Sequence, residues 1–260
     1  IPQPSYVSYL PCTVMADGVP VIVELKHENE FKLTVEDLES KISERTKILV
    51  MPFPNNPTGS IMTKEDLEPI AEFVKAHDLY VLSDEIYSEL SYKGEHVSIA
   101  SLPGMRDRTI VINGFSKGFA MTGWRLGYCC GPEVILKQMI KLHQFAIMCA
   151  PTTSQYAAVE ALKNGDGDVK EMRDEYNQRR RYLMHAFKEM GLPCFEPYGA
   201  FYVFPCIAEF GMTSDEFATR FLHEEKVAVV PGTAFGDCGE GFIRISYCLL
   251  YTSPSPRDVE

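Results

Sequence analysis

The sequence predicts an α/β fold, with a mostly parallel sheet covered by helices and a smaller α+β domain after it. Short runs rich in valine and isoleucine alternate with amphipathic stretches through the first half of the chain. This alternation is typical of parallel strands joined by crossover helices. After residue 131 it gives way to three successive helical patterns and then to short strands. We therefore expect two unequal domains within the 260 residues.

Five apolar runs in the first half are predicted to be buried strands. Each is short, rich in β-branched residues and bounded by turn residues. They cover residues 19–25, 47–53, 79–84, 109–115 and 124–131. Helix starts lie between them, because Thr34 and Thr63 each open a Thr-x-Glu-Asp segment before a leucine, which is an N-cap pattern.

The second half is predicted to hold three helices, between residues 132 and 191, and then the small domain. Its strands are expected at 201–207, 227–230 and 241–247, around one helix that begins at Thr213 or Ser214. We place the domains at 1–167 for the large one, whose N-terminal part we expect to be missing, and 168–247 for the small one. Residues 248–260 lack helical periodicity, and we expect them to be a non-native tail.

Composition excludes several classes of function. The net charge is −11 and no lysine- or arginine-rich run occurs, so we expect no nucleic-acid partner. No apolar run reaches the roughly 20 residues that span a bilayer, and the first residues given lack the basic start and apolar stretch that are typical of a signal peptide. We therefore expect a cytoplasmic protein. The eight cysteines have no CxxC spacing, which disfavours both a disulfide framework and a metal site.

The segment 113–128 is the most informative part of the chain. Lys117 follows a strand rich in valine and isoleucine, and Gly114 and Gly118 beside it permit close approach to a ligand. Taken alone, Lys117 would more often be an exposed lysine after a strand. Arg125 changes this interpretation, because a planar cation on the next strand could hold a phosphate by two parallel hydrogen bonds.

Residues 116–127 read Ser-Lys-x-x-Ala-Met-Thr-Gly-Trp-Arg-x-Gly. This resembles the motif of fold-type I, class I/II aminotransferases, which depend on pyridoxal 5′-phosphate (PLP). The resemblance implies that Lys117 holds the cofactor through a Schiff base, that Arg125 binds its phosphate, and that Ser116 also contacts the phosphate. Gly114 occupies a position that is often serine in relatives, so one phosphate hydroxyl is expected to be missing.

Two upstream motifs follow in the order of that family. Residues 54–59 alternate asparagine, proline and glycine, which by itself indicates only a tight turn. Asp84 and Tyr87 follow the strand 79–84, where either Asp84 or Glu85 could by itself be a helix cap or a solvated charge. The resemblance implies that Asn56 and Tyr87 bind the cofactor's 3′-oxygen and that Asp84 binds its pyridine nitrogen, which keeps that nitrogen protonated.

The resemblance also assigns residues near both ends of the chain. In residues 4–9 it implies that Tyr6 stacks on the cofactor ring, although by itself the pattern favours ordinary partly buried aromatics in a loop. Arg244 lies in the middle of the apolar strand 241–247. Such an arginine could form a structural salt bridge. The resemblance instead implies that Arg244, with Asn56, binds the α-carboxylate of the substrate.

The implied function is transfer of an amino group from an L-amino acid to a 2-oxo acid, by a homodimer. A PLP-dependent C–S β-lyase of the same fold is the main alternative, and a regulator with an aminotransferase-like effector domain is a third. The resemblance covers residues 1 to about 247. Family members carry an upstream segment in which a glycine-containing turn at a helix N-terminus holds the phosphate. We therefore expect the 260-residue chain by itself to be poorly active.

Overall fold

A computed structural model describes residues 1–249; residues 250–260, which include most of the predicted tail at 248–260, lie outside the described residues. The α-helices are α1 (Tyr9–Met15), α2 (Val35–Glu39), α3 (Lys64–Ala76), α4 (Glu133–Ala146), α5 (Thr152–Asn164), α6 (Asp166–Met190) and α7 (Ser214–Glu225). The strands are β1 (Pro2–Gln3), β2 (Val23–Glu24), β3 (Ile48–Met51), β4 (Tyr80–Asp84), β5 (Thr109–Gly114), β6 (Gly127–Cys130), β7 (Tyr202–Val203), β8 (Val230–Pro231) and β9 (Ile243–Ser246). None of the described helices is long and apolar enough to cross a membrane.

The main sheet has the strand order β3-β4-β5-β6. Strands β3, β4 and β5 are parallel, and β6 runs antiparallel beside β5. Val81 of β4 pairs with Leu49 on one side and Thr109 on the other. The carboxyl ends of the three parallel strands therefore meet at one edge, where open α/β sheets bind their ligands. The predicted mostly parallel α/β sheet is confirmed.

Helix α3 illustrates how the local sequence builds the core. Thr63 caps it, because the Thr63 hydroxyl accepts from the Asp66 backbone N–H while the Asp66 carboxylate accepts from the Thr63 N–H. Leu67, Ile70 and Val74 follow at helical spacing and are buried. They pack in one apolar cluster with strand residues such as Leu49, Met51 and Val81. The capping box sets where the helix begins, and the apolar stripe sets which face meets the sheet.

Two predicted strands are much shorter than expected, and the reasons differ. In 19–25 only Val23–Glu24 pairs, because its partner β1 offers two residues and Val19 is 83% exposed. The run 124–131 becomes a strand only at Gly127. Arg125 adopts a left-handed conformation with φ of 53°, and β5 has no residue to pair with it beyond Gly114. Arg125 therefore lies in a turn and not on the strand.

The region after α6 forms a three-stranded antiparallel sheet of order β7-β9-β8. Its strands are also shorter than predicted, while Thr213 caps α7 as expected. A second apolar cluster joins Tyr87 and Leu90 of the first half to Phe187, Phe201 and Tyr247 of the second. The division of the chain near residue 168 stays a prediction, since α6 runs unbroken through that position.

Candidate active site

Asn56 is presented by a buried turn that follows β3. The turn is held by Asn55, whose side-chain oxygen accepts hydrogen bonds from the Thr58 backbone N–H at 3.2 Å and the Thr58 hydroxyl at 2.9 Å. Gly59 closes the turn with φ of 75°, and a Cβ at this position would lie 2.5 Å from the Pro197 side chain. Glycine is required there because the chain combines a left-handed conformation with this close approach. The turn thus fixes Asn56 at the carboxyl end of the sheet.

Asp84 is the last residue of β4 and lies at the same edge. Its carboxylate accepts a hydrogen bond from the Tyr9 hydroxyl at 2.7 Å and another from the Ile86 backbone N–H at 3.2 Å. Burial raises the pKa of Asp84 above its ordinary value, although both hydrogen bonds act to lower it. The Tyr9 and Ile86 donors therefore favour the ionised carboxylate in a site that disfavours charge.

Tyr9 is a contributor to the site that the sequence did not identify. It begins α1, and its hydroxyl reaches an acid 75 positions along the chain. Burial, followed by the neighbouring Asp84 charge, raises the pKa of the Tyr9 hydroxyl, so it remains a donor. Only its spacing of three residues from Tyr6 could have marked it, since that spacing brings the two rings into edge contact with centroids 5.8 Å apart.

Glu85 follows directly but belongs to a separate group of side chains. Its carboxylate accepts from Ser98 at 2.6 Å and from Ser83 at 2.9 Å, and it contacts the His96 ring nitrogen at 2.9 Å. Burial acts to raise the pKa of Glu85, yet the hydrogen bonds and the nearby His96 lower it overall. Every contact of this carboxylate is supplied by the protein, and the carboxylate therefore serves the structure of the loop after β4.

Tyr87 and Lys117 lie together next to the second half of the chain. The Tyr87 hydroxyl is 2.9 Å from the hydroxyl of Tyr202, and both rings are buried. Burial raises the pKa of both hydroxyls. The Lys117 amine lies 5.9 Å from the centre of the Tyr87 ring and 5.6 Å from that of Phe201. Within residues 1–249 these ring faces are the contacts described for that amine, which leaves it available to a ligand.

Arg244 extends from β9 towards Asn56. One of its terminal nitrogens donates to the Asn56 side-chain oxygen at 3.0 Å. Its guanidinium carbon lies 4.6 Å from the centre of the Tyr202 ring and 4.8 Å from that of Phe235. The Nε atom is buried without a hydrogen-bond partner. The salt bridges described within residues 1–249 involve other cations, so this arginine retains donors for an external anion.

The residues predicted to bind phosphate lie at the surface of the described chain. Arg125 is exposed, and its guanidinium donates to the Thr122 carbonyl at 2.9 Å. The carbonyl of Ser116 accepts from the Thr122 hydroxyl at 2.7 Å. The pairing of β5 with β6 explains why residue 114 is glycine, because a Cβ there would lie 2.9 Å from the Gly127 Cα. The described contacts do not join Arg125 or Ser116 to Asp84 and Asn56.

Tyr6, the residue predicted to stack on a ring, is 46% exposed. Its described ring contact is with Tyr9, which in turn binds Asp84. A flat ligand that binds beside Asp84 would therefore lie near the segment that carries Tyr6 and Tyr9. Stacking by Tyr6 stays a prediction.

The donor set fits an aromatic cofactor with acidic groups. A carboxylate, a hydroxyl and a primary amine lie along the carboxyl edge of the sheet in Asp84, Tyr87 and Lys117. The buried Nε of Arg244 has no hydrogen-bond partner among the described residues, as is also true of Asn55 Nδ2, Ser60 Oγ and Arg179 Nε. Because buried polar atoms are normally paired, and because the Arg244 guanidinium contacts Asn56 and Tyr202 of this site, it fits an anionic ligand. Such a set is suited to an enzyme that binds a carbonyl-bearing cofactor and a carboxylate substrate.

The sheet and the side chains at its carboxyl edge agree with the fold class expected from the sequence. The family model described as aminotransferase class I and II matches residues 1–252. The chain therefore belongs to the class I and II aminotransferase family, and the predicted family is confirmed.

Named relatives and solved structures agree with this assignment. The chain is 51% identical to a putative aminotransferase of Bacillus subtilis, YugH, over 95% of this chain and 64% of the relative. It is 50% identical to an aspartate aminotransferase of Pyrococcus abyssi, over 96% of this chain and 65% of the relative. The crystal structure of an aromatic aminotransferase from Pyrococcus horikoshii superposes with a TM-score of 0.94 at 49% identity, covering 96% of this chain and 68% of that one. The chain thus spans somewhat less than two thirds of the length of these curated relatives.

Proposed function

We propose that the protein containing this chain is a PLP-dependent aminotransferase that moves an amino group from an L-amino acid to a 2-oxo acid. One observation carries the proposal. The Lys117 amine faces the Tyr87 ring, Tyr87 bonds Tyr202, and Tyr202 underlies Arg244, whose buried Nε has no protein partner. These contacts support one site that is bordered by an amine and by a cation suited to bind a carboxylate. The names of the relatives, aspartate and aromatic-amino-acid aminotransferases, support the same reaction.

We assign the cofactor-binding roles as follows. Lys117 is the attachment residue, Asp84 faces the pyridine nitrogen, and Asn56 and Tyr87 face the 3′-oxygen. Arg125 and Ser116 bind the phosphate, and Tyr6 covers one face of the ring. When bound, PLP supplies an electron-withdrawing ring that takes up the electron pair released as the substrate Cα–H bond breaks.

Asp84 and Lys117 handle the protons of the reaction. An ionised Asp84 holds a proton on the nitrogen that it faces, and the Tyr9 and Ile86 donors help to keep this carboxylate charged. When not attached to the cofactor, the Lys117 amine would be positioned to accept the proton from the substrate Cα and to donate it to the cofactor carbon. The amine lies beside the ring faces of Tyr87 and Phe201, 5.9 and 5.6 Å from their centres.

Arg244 positions the substrate. Its guanidinium is held between the rings of Tyr202 and Phe235 and by the Asn56 side-chain oxygen. The remaining donors can bind both oxygens of an α-carboxylate in parallel, which fixes the orientation of the Cα–H bond. Amino acids and 2-oxo acids share this carboxylate, so one arginine serves both halves of the reaction. We further propose a homodimer located in the cytoplasm.

A coupled assay tests the proposed function. The full-length gene product, loaded with PLP, is given aspartate, alanine or tyrosine with 2-oxoglutarate, and glutamate is measured. We expect glutamate formation that depends on the donor, and a loss of at least about a thousandfold in Lys117→Ala, because positioned proton transfer and covalent catalysis are both removed. Lys141→Ala, an exposed lysine on α4, is the matched control. Release of pyruvate and ammonia from a cysteine conjugate without glutamate formation would contradict the proposal and select the lyase.

A further inference from the structure

Tyr202 occupies a central position between the two sides of the site. It lies on β7, is 6% exposed, and pairs with Ser246 of β9. Residues two apart on a strand share a face, so Arg244 lies on the same face as Ser246 and diagonally beside Tyr202. The antiparallel pairing thus places the Tyr202 ring under the guanidinium, 4.6 Å from its carbon atom. This is a consequence of register, which the sequence pattern alone did not reveal.

The hydroxyl of Tyr202 determines how Tyr87 can act. A tyrosine hydroxyl has one proton to donate, and the two hydroxyls are 2.9 Å apart in a buried setting. If Tyr87 donates its proton to a ligand, the bond between the two tyrosines requires Tyr202 to donate to Tyr87. A donor behind Tyr87 fixes its orientation and makes its own proton a stronger donor, because linked hydrogen bonds polarise one another.

The ring of Tyr202 acts on Arg244. The guanidinium lies between Tyr202 and Phe235, at 4.6 and 4.8 Å from the ring centres. A partly desolvated cation between two aromatic faces is attracted to both of them. Together with the Asn56 hydrogen bond at 3.0 Å, this fixes the plane of the fork while its Nε stays unpartnered. A carboxylate would then meet an oriented pair of donors.

We infer, resting on the proposed function, that Tyr202 is a positioning residue that serves both sides of the reaction through separate atoms. Its hydroxyl supports the hydrogen bond from Tyr87 to the cofactor's 3′-oxygen, and its ring orients Arg244 for the substrate carboxylate. Removing the hydroxyl alone therefore affects the cofactor side, whereas removing the ring also affects the carboxylate side.

The test compares Tyr202→Phe, which keeps the ring, with Tyr202→Leu, which removes it, in the PLP-loaded full-length gene product. Two readouts are used, neither of them activity: the pH midpoint of the absorbance band of the lysine-linked cofactor, and the dissociation constants of maleate and 3-phenylpropionate. A hydrogen bond to the 3′-oxygen competes with the proton that this oxygen shares with the lysine-linked nitrogen. Weakening that bond therefore raises the midpoint.

We expect Tyr202→Phe to raise the midpoint by about 0.5 pH unit or more, with the affinity of whichever acid the wild type binds unchanged within about twofold. Tyr202→Leu should raise the midpoint similarly and weaken that affinity by about tenfold. Tyr247→Phe is the matched control, because its buried hydroxyl bonds the Ala200 carbonyl and not Tyr87. It should move neither readout.

The outcomes distinguish a failure of the Tyr202 roles from a failure of the proposed function. A normal wild-type band with an unchanged midpoint in Tyr202→Phe would overturn the role of the hydroxyl. Unchanged acid affinity in Tyr202→Leu would overturn the role of the ring. A wild-type protein that lacks the lysine-linked band altogether would overturn the proposed function, and this inference with it.

Discussion

Two groups of polar side chains near the carboxyl end of β4 are buried or half-buried, and they differ in their hydrogen bonding. The Glu85 cluster (Ser83, Glu85, His96 and Ser98) satisfies its carboxylate within the protein. The site cluster (Asn56, Tyr87, Lys117, Tyr202 and Arg244) leaves the buried Nε of Arg244 without a partner. Buried polar groups are normally paired. We therefore propose that the Glu85 cluster supports the fold and that the site cluster binds a ligand.

The two neighbouring acids express the same difference in their ionisation. Burial raises the pKa of Asp84, and its two donors do not offset this completely. Burial also acts to raise the pKa of Glu85, but three side-chain partners lower it below its ordinary value. The protein by itself therefore stabilises the ionised Asp84 carboxylate only in part, and a positively charged group beside it would stabilise it further. A protonated ring nitrogen of a ligand would be such a group.

Replacing Arg244 with methionine should have the largest effect on binding and little effect on folding. We expect affinity for maleate or 3-phenylpropionate to fall by at least about a hundredfold, since paired charge-assisted hydrogen bonds are lost. The free energy of unfolding without ligand should fall by no more than about 2 kcal/mol, because the Asn56 hydrogen bond is lost but no carboxylate is left unpaired in the described part of the chain. Calorimetric titration and urea unfolding measure the two quantities.

Arg220→Met provides the control for Arg244, because this exposed arginine pairs with Glu224 on α7. It should change neither quantity appreciably. Loss of several kcal/mol of stability on replacing Arg244, with intact acid binding, would show that Arg244 belongs with the structural group.

Glu85→Gln should show the opposite pattern: its free energy of unfolding should decrease, while its affinity for maleate or 3-phenylpropionate should not change. We expect a loss of about 2 kcal/mol at pH 7, because the charged acceptor of three partners is removed. The pKa of Glu85 is lowered on folding, so its contribution is complete above its unfolded value of 4.5. It is lost as the pH falls through the lower folded value. The difference from wild type should therefore shrink below pH 4.5.

The measurement for Glu85 is urea unfolding at several pH values between about 3 and 7, which includes the range below its unfolded pKa of 4.5. Glu89→Gln, an exposed glutamate on the same loop, is the control and should be neutral at each pH. A Glu85→Gln protein as stable as the wild type would remove the basis for separating the two clusters.

Asp84→Asn should stabilise the cofactor-free protein by on the order of 1 kcal/mol at pH 7, because an incompletely compensated buried charge is removed. The pKa of Asp84 is raised on folding, so its favourable contribution exists below its unfolded value of 3.8. That contribution is lost as the pH rises through the folded value. The gain from asparagine should therefore disappear towards pH 3.8, while PLP affinity decreases. Urea unfolding between pH 3.8 and pH 7 measures the difference in stability between Asp84→Asn and the wild type. A loss of stability in Asp84→Asn at pH 7 would contradict the account.

Sequence reasoning predicted the fold well where local pattern determines structure. The capping boxes at Thr34 and Thr63 and the parallel strands follow from local pattern. Strand ends were less predictable, because the end of β6 depends on where its partner β5 stops and on the left-handed backbone at Arg125. Local pattern carries no information about a partner's length.

The residues of the candidate site also fall into those that local sequence predicts and those that only tertiary structure reveals. Asn56, Asp84, Tyr87 and Lys117 were predicted because they lie in short motifs next to strands, and these motifs resemble those of the family. Tyr9 and Tyr202 were given no role, because each acts through a contact that spans 75 or 115 positions. Such contacts depend on tertiary structure and on strand register, and neither can be seen in a single sequence.

The central claim is that the Lys117 amine is the attachment point of the cofactor, and one measurement tests it directly. The PLP-loaded full-length gene product is reduced with borohydride, digested and mapped by mass spectrometry. We predict that the reduced cofactor mass lies on the peptide that contains Lys117 and is absent from Lys117→Ala, while Glu85→Gln keeps it. Cofactor found on another lysine, or on none, would contradict the account.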